Sequence, residues 1–350
     1  MRAVVTVAPQ QMELVEEAAP IAGPGEALLR VEAVGLCGSD LHLYLGDHPY
    51  VTYPQVQGHE FCGTILAFGE GYSGPLRIGQ RVAVEPLVPC GSCYPCRHGR
   101  PNCCTRLAVL GAHRRGALAE LIAVRTTSLY PVGDLDAELA ALVEPVSIGL
   151  HAVIRGQVTA EDRVVIFGAG PIGQAVLLAA RERGAQVLVV DKLERRLALA
   201  HRLGAEVVIN ASHEDVAAAV LSWTDGDGPA VIFEATGVPA VIRQAVELVA
   251  SAGRIVIIGL SNQEVSLPVV EFTRKELTVL GSRNNAGIFA QAVELVQRQR
   301  AAVRALISHR FPLEETPRAL AFALEHPTEA EKVLILVGPA ATGQALNQQA

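Results

Sequence analysis

Residues 163–173 read Arg163-Val164-Val165-Ile166-Phe167-Gly168-Ala169-Gly170-Pro171-Ile172-Gly173, and they decide the architecture. Val164–Phe167 is a short apolar run of the kind that forms a buried strand. It stops at a G-x-G-x-x-G turn. Gln174–Arg183 follows with helical patterning, and a second apolar run, Val187–Val190, ends at Asp191. Strand, glycine turn, helix, strand and acid together make the setting in which this glycine pattern binds a dinucleotide. Gly168 permits the tight turn, Gly170 lets the backbone approach a pyrophosphate, and Gly173 lets the helix lie close on the strand; Pro171 and Ile172 complete the turn. The helix N-terminus then faces the phosphate charge. Asp191 lies 18 residues past Gly173, where a carboxylate accepts both hydroxyls of the adenosine ribose and repels a 2′-phosphate. NAD is therefore favoured over NADP. Arg195 and Arg196 carry the opposite sign: Arg196 is a candidate cofactor contact, or the pair is a solvated helix face.

The same alternation continues downstream. Ala230–Gly237 reads as strand plus turn, Pro239–Ala250 as helix and Gly253–Gly259 as the next strand, which predicts an α/β domain with a parallel sheet covered on both faces. The first 150 residues differ, with short β runs and many Gly/Pro turns. A chain of 350 residues suits two domains. Half of it is hydrophobic and 19% is charged, enough apolar surface for two cores. A net charge of −7 without a basic block argues against a nucleic-acid partner. The longest uncharged stretch, Val164–Ala180, is shorter than the roughly 20 residues of a membrane span and carries the glycine turn. No apolar leader precedes a cleavage site at the N-terminus, so a cytoplasmic protein is expected. Lysine is scarce, at Lys192, Lys275 and Lys332 only.

The cysteines point to metal. Seven is an odd number for a disulfide framework. Cys90, Cys93 and Cys96 recur at three-residue spacing, with Cys103 and Cys104 seven and eight positions later, in a segment looped by Gly91, Pro95, Gly99 and Pro101. Four thiolates around one ion make a closed structural Zn²⁺ site, and spacing alone leaves Cys103 and Cys104 equivalent. A second set is dispersed. Cys37 stands in Gly35-Leu36-Cys37-Gly38-Ser39-Asp40-Leu41-His42, and His59 and Glu60 stand in Gly58-His59-Glu60-Phe61-Cys62-Gly63. Catalytic zinc sites use three such ligands and one open position. Cys62 reads as core. Glu144 sits in the apolar run Ala140–Val146, where a carboxylate is costly to bury without a partner such as a metal ion or an arginine.

In combination and order these motifs, with Glu144-Pro145, resemble the zinc-dependent medium-chain dehydrogenase/reductase family over about Met1–Val337. The resemblance implies a GroES-like β-barrel catalytic domain over 1–150, to which residues 285–350 return. It implies a Rossmann NAD-binding domain, a doubly wound parallel sheet, over 151–284, with substrate in a cleft between the domains. It selects Cys104 as the fourth structural ligand, and makes Cys37 and His59 ligands of a catalytic zinc, completed by Glu60 or Glu144. Two zinc ions per chain and NAD are the implied cofactors. Ser39 matches the family's proton-relay hydroxyl and His42 its outer relay histidine, with a surface histidine as the alternative; His48 has no match and reads as pocket lining or surface. Glu271–Asn284 resembles the sugar-acid and polyol branch, including L-galactonate-type 5-dehydrogenases. Arg283 there is a candidate for holding a substrate carboxylate or a cofactor phosphate, or else a hinge ion pair. Where many relatives carry Asp-Gly-Gly-Phe-Ala-Glu, this chain has Arg115-Gly116-Ala117-Leu118-Ala119-Glu120, so Leu118 is expected to alter the pocket wall and Arg115 to add charge near the entrance. The implied activity is hydride transfer from a secondary alcohol of a polyol or sugar acid to NAD. Rival readings are a threonine-type or simple alcohol dehydrogenase, and a catalytically silent NAD-binding regulator. A homotetramer or homodimer is expected.

Overall fold

The computed structural model describes residues 1–47 and 52–338; His48 lies outside them. The chain divides into two units, one formed by Met1–Glu144 with the chain from Phe289 onward, the other by Pro145–Ile288. The divisions expected from sequence were at 150 and 284. The first falls inside the opening turn of the helix Val143–Arg155. The second falls at the start of the helix Phe289–Arg298, because Phe289 is fully buried and packs on Tyr130, ring centroids 4.8 Å apart.

The second unit is a six-stranded sheet in the order Val207–Asn210, Gln186–Asp191, Arg163–Phe167, Val231–Glu234, Arg254–Ile257, Thr278–Gly281, every neighbouring pair parallel. In chain order this is 3-2-1-4-5-6, the doubly wound arrangement whose ligands bind beyond the carboxyl ends of the strands. Strands buried on both faces are continuous apolar runs: Val165, Phe167, Leu188, Val190, Ile232 and Ile255 share one core. The helix after the glycine turn runs from Pro171 to Glu182, three residues earlier than patterning predicted. Gly170 is its N-cap and Pro171 its first residue, where the missing N–H costs nothing.

The first unit is built on a mixed sheet. Its order is Ile307–Pro312, Lys332–Leu336, Glu26–Gly35, Glu60–Phe68, Arg81–Val84, Leu129–Pro131, with Leu121–Arg125 also pairing Glu26–Gly35. The two strands of the returning chain are parallel to each other, and Lys332–Leu336 then pairs antiparallel with Glu26–Gly35, setting Leu334 opposite Gly35. Ion pairs fasten the return: Arg310 Nε donates to Glu138 at 2.6 Å and Arg300 to Asp134 at 3.0 Å. Among the described residues, no helix is long and apolar enough to cross a membrane.

Candidate metal centres and nucleotide turn

Cys37 is the N-cap of the helix Gly38–Leu45, directly after the strand Glu26–Gly35. His59 precedes the neighbouring strand Glu60–Phe68, and Glu60 pairs with Gly35 in register. Adjacent strand ends therefore bring Cys37, His59 and Glu60 together, and one ligand atom from each lies within 4.8 Å of the others. Asp40 braces the group. Fully buried, it accepts hydrogen bonds from the backbone N–H of Cys37 at 3.0 Å and of Gly58 at 3.2 Å, and faces His59 Nδ1 at 3.7 Å. A carboxylate behind the ring fixes its tautomer and frees the other nitrogen for a metal. Burial opposes the charge on both groups. The mutual attraction of Asp40 and His59 outweighs it, holding the Asp40 carboxyl below its usual range and the His59 imidazole well above its own. Surroundings that draw a proton to His59 also draw a metal cation.

Glu60 is held in a second way. Lys332 Nζ donates to its two carboxylate oxygens at 2.8 and 2.7 Å, and to the Leu36 carbonyl at 3.2 Å. Glu144 is buried in the first turn of Val143–Arg155. Burial pushes its carboxyl up to about 7; His59 and Lys332 oppose the rise, and Glu60 adds to it. Glu144 is thus near the group, although its oxygen is not among the three mutually close donors. Ser39 Oγ is 3.5 Å from His59 Nε2. His42 lies on the surface, its Nδ1 2.9 Å from Asp47 Oδ1.

The cysteine lobe gathers Cys90, Cys93, Cys96 and Cys104, with ligand atoms within 4.8 Å of one another; Cys103 is not in the group. Cys93 Sγ lies 3.4 Å from Cys96 Sγ and 3.7 Å from Cys104 Sγ. A tetrahedron with Zn–S bonds near 2.3 Å has edges of about 3.8 Å, so the cluster has the size of a zinc site. Backbone N–H groups point at the sulfurs: Cys93 donates to Cys90 Sγ at 3.4 Å, and Cys90 and Arg106 each donate to Cys104 Sγ at 3.3 Å. Backbone donors from Ser92 and Cys93, with the Ser92 hydroxyl, bring the Cys90 thiol down to about 5, and those of Cys96 and Thr105 bring Cys93 to about 7. Cys62 is core, buried, its Sγ bonded to the Ala137 carbonyl.

In the second unit Gly168 has φ +94°. A Cβ there would meet Thr236, and one on Gly173 would collide with the Gly168 carbonyl. Asp191 Oδ2 accepts from Ala169 N–H at 2.6 Å, and Oδ1 from Lys192 and Leu193 N–H at 2.7 and 2.9 Å. A carboxylate has about four acceptor sites, so one remains for a ribose hydroxyl where the sequence suggested two contacts. The half-buried Arg196 lies over Gly170, while Arg195 and Arg283 are exposed.

Two substrate expectations meet a different setting. Leu118 is fully buried beside Gly58, in the core cluster that also holds Val34, so it adds to the core where the sequence suggested a pocket wall. Arg115 pairs with Glu17 and lines a cavity of about 250 Å³ with Arg114 and Arg125. Sequence reading assigned no role to Asp40, Lys332 or Gly35. Asp40 lay within a quoted motif. Lys332 had one available signal: it is one of three lysines in an arginine-rich chain.

Residues 171–298 match the zinc-binding dehydrogenase family, and residues 23–134 match the alcohol dehydrogenase GroES-like domain. An uncharacterised zinc-type alcohol dehydrogenase-like protein of Haemophilus influenzae is 36% identical, over 95% of this chain and 98% of its own length. The chain belongs to the zinc-type medium-chain dehydrogenases. This dehydrogenase is also similar to L-galactonate-5-dehydrogenase of Escherichia coli, 35% identical over 89% of this chain and 92% of the relative. Among solved structures it resembles an Escherichia coli short chain alcohol dehydrogenase, RspB, in complex with NADH. That match has 34% identity and a TM-score of 0.90, over 96% of this chain and 99% of the other. The cofactors of this zinc-type dehydrogenase are zinc and a nicotinamide dinucleotide.

Proposed function

We propose that this dehydrogenase transfers a hydride from a secondary alcohol of a polyol or sugar acid to NAD. The observation that carries the reading is the convergence of Cys37, His59 and Glu60 within 4.8 Å, braced by Asp40 and with the Ser39 hydroxyl 3.5 Å from His59. Cys37 and His59 hold the catalytic zinc, with Glu60 as third donor and Glu144 in reserve. Cys90, Cys93, Cys96 and Cys104 hold the structural one. When bound, the catalytic zinc supplies a Lewis acid that lowers the pKa of an alcohol hydroxyl. Ser39 Oγ would accept the hydroxyl proton while passing its own proton on, and His42, exposed and paired with Asp47, would release that proton to solvent. The glycine turn Gly168–Gly173 carries the pyrophosphate. Asp191 takes one ribose hydroxyl on Oδ2, and its charge disfavours a 2′-phosphate. Arg196 over Gly170 braces the phosphate side of the turn. Arg283 remains the candidate for a substrate carboxylate or a cofactor phosphate, with a hinge ion pair as its alternative.

The thiolate ligands suit a reducing, cytoplasmic compartment. A homodimer or homotetramer is proposed on the exposed edge of the parallel sheet. Val279 on the last strand is 43% exposed, and Val269, Val270 and Leu260 nearby are 77, 59 and 95% exposed. Light scattering tests this: a monomer at micromolar concentration would overturn it.

The activity is tested by NADH formation across polyols, aldonates, threonine and simple alcohols, with NADP in parallel. Turnover of a polyol or sugar acid with NAD, lost when zinc is chelated, is the expected result. Turnover confined to threonine or short alcohols replaces the substrate class. NADH binding with no turnover and one zinc per chain makes the protein a silent NAD binder.

A further inference from the structure

The chain carries a net charge of −7, yet between Glu85 and Glu120 it holds five arginines and no acid. Arg97, Arg100 and Arg106 stand in or next to the cysteine lobe, whose thiolates balance them. Arg114 and Arg115 stand apart from it and, with Arg125, line the cavity of about 250 Å³ in the first unit. None of the zinc ligands is on its wall. The acid opposite Arg125 in register is Glu26, but its carboxylate accepts from Gly23 N–H at 3.0 Å. Among the described residues neither Arg114 nor Arg125 has an acidic partner. Arg115 pairs with Glu17, and its Nε is nevertheless buried with no hydrogen-bond partner. A buried N–H without an acceptor is costly. Three guanidiniums thus meet Glu26 on the wall and Glu17 beside it, which leaves the cavity positive.

We propose that this cavity is a binding site for a small organic anion, one carboxylate or phosphate group on an apolar body the size of a single ring, held by Arg114, Arg115 and Arg125. The charge follows from the guanidiniums, whose paired N–H groups match the oxygens of a carboxylate or phosphate. The apolar body follows from the rest of the wall, where Pro20, Val88 and Leu110 offer carbon surface. Such walls exclude water and strengthen the attraction of the arginines, which on an open surface would hold an anion weakly. The size follows from the volume, below the roughly 300–1,000 Å³ of ordinary ligand pockets. The strand Leu121–Arg125 makes the space: Ile122 and Val124 are buried, while Ala123 and Arg125 alternate onto its more exposed face. Ala123 is the small side chain there, and both it and Arg125 line the cavity. The inference does not rest on the alcohol this enzyme oxidises.

The test is calorimetric titration of full-length, zinc-loaded protein saturated with NADH, so that the nucleotide turn is already filled. Phenyl phosphate and benzoate are the probes, with inorganic phosphate and phenol in parallel. One equivalent of phenyl phosphate or benzoate is expected to bind per chain, and the tighter of the two names the anionic group. Inorganic phosphate lacks the apolar body and phenol the charge, so each is expected to bind at least about tenfold more weakly. Two variants locate the site. Arg114→Gln/Arg125→Gln removes two charges at exposed positions, and Ala123→Phe fills the space while keeping all three arginines. Each is expected to weaken binding about tenfold or more, with zinc content and thermal midpoint unchanged in the arginine variant. No binding of either probe at millimolar concentration would overturn the proposal. So would binding that survives either variant, which would place the anion elsewhere, or inorganic phosphate binding as tightly as phenyl phosphate, which would reduce the site to surface charge.

Discussion

The two metal centres are assembled by opposite means. The cysteine lobe is local: four thiols within Cys90–Cys104, outside any strand of the main sheets, gathered by glycine and proline turns and by backbone N–H groups aimed at sulfur. Cys37, His59 and Glu60 come from the ends of two paired strands. Their supports, Asp40 and Lys332, come from a helix and from the far end of the chain. The lobe has little apolar surface of its own, and only Cys104 of its ligands is buried. Its order therefore depends on the ion, as in small metal domains whose binding energy is folding energy. The dispersed group rests on a barrel core that includes Val31, Val34, Phe61 and Ile65, whose apolar burial supplies stability of its own. One centre needs metal for its shape, and the other offers its shape to the metal.

Removing one ligand from the lobe is the strongest way to probe that contrast. Cys93→Ser is expected to lose one zinc and to open the lobe, making residues 90–106 the first site of limited proteolysis, cut at least about tenfold faster than in the wild type. An uncut lobe that keeps its zinc would erase the distinction. The dispersed group should respond to its supports. Asp40→Asn keeps the volume but removes the charge facing His59 and weakens the acceptors for Cys37 and Gly58. It is expected to cost about 10–100-fold in zinc affinity at this site while the lobe zinc stays, as measured by chelator competition. Equal loss from both sites would mean that Asp40 supports the fold as a whole.

The smallest effect concerns the barrel that carries the dispersed group. Tyr130 packs on Phe289 and donates to Glu85 at 3.1 Å; burial and the Glu85 charge push its phenol up to about 12. The unfolded phenol titrates near 10. The folded state therefore binds this proton more tightly, and stability falls as pH rises from about 10 to about 12. Tyr130→Phe is expected to flatten that segment of the denaturant midpoint against pH. An unchanged slope would show that Tyr130 does not report on this packing.

What was legible in the sequence follows the same line. The glycine turn and the cysteine spacing are local, and both could be read directly, down to the strands on either side of Gly168–Gly173. The helix start at Pro171 was missed because periodicity begins at Gln174, while Gly170 and Pro171 act through capping. Cys37 and His59 were legible through their motifs. Lys332 was not, because nothing near it in sequence shows that the pairing of its strand with Glu26–Gly35 brings its ammonium to Glu60 and Leu36. Leu118 was read as pocket wall for the same reason: its burial beside Gly58 involves residues distant in the chain. Asp191 stood out in the sequence as the candidate cofactor acid, but the three backbone donors that occupy it depend on turn geometry that spacing does not encode.

The most direct measurement is the zinc content and NAD-dependent turnover of Cys37→Ser beside the wild type. The account predicts two zinc ions per wild-type chain. For Cys37→Ser it predicts one zinc ion, a thermal midpoint lowered by less than in Cys93→Ser, and turnover lower by on the order of 10³-fold, about 4 kcal/mol of transition-state stabilisation. A Cys37→Ser protein that keeps both zinc ions, or turns over its alcohol at the wild-type rate, would contradict it.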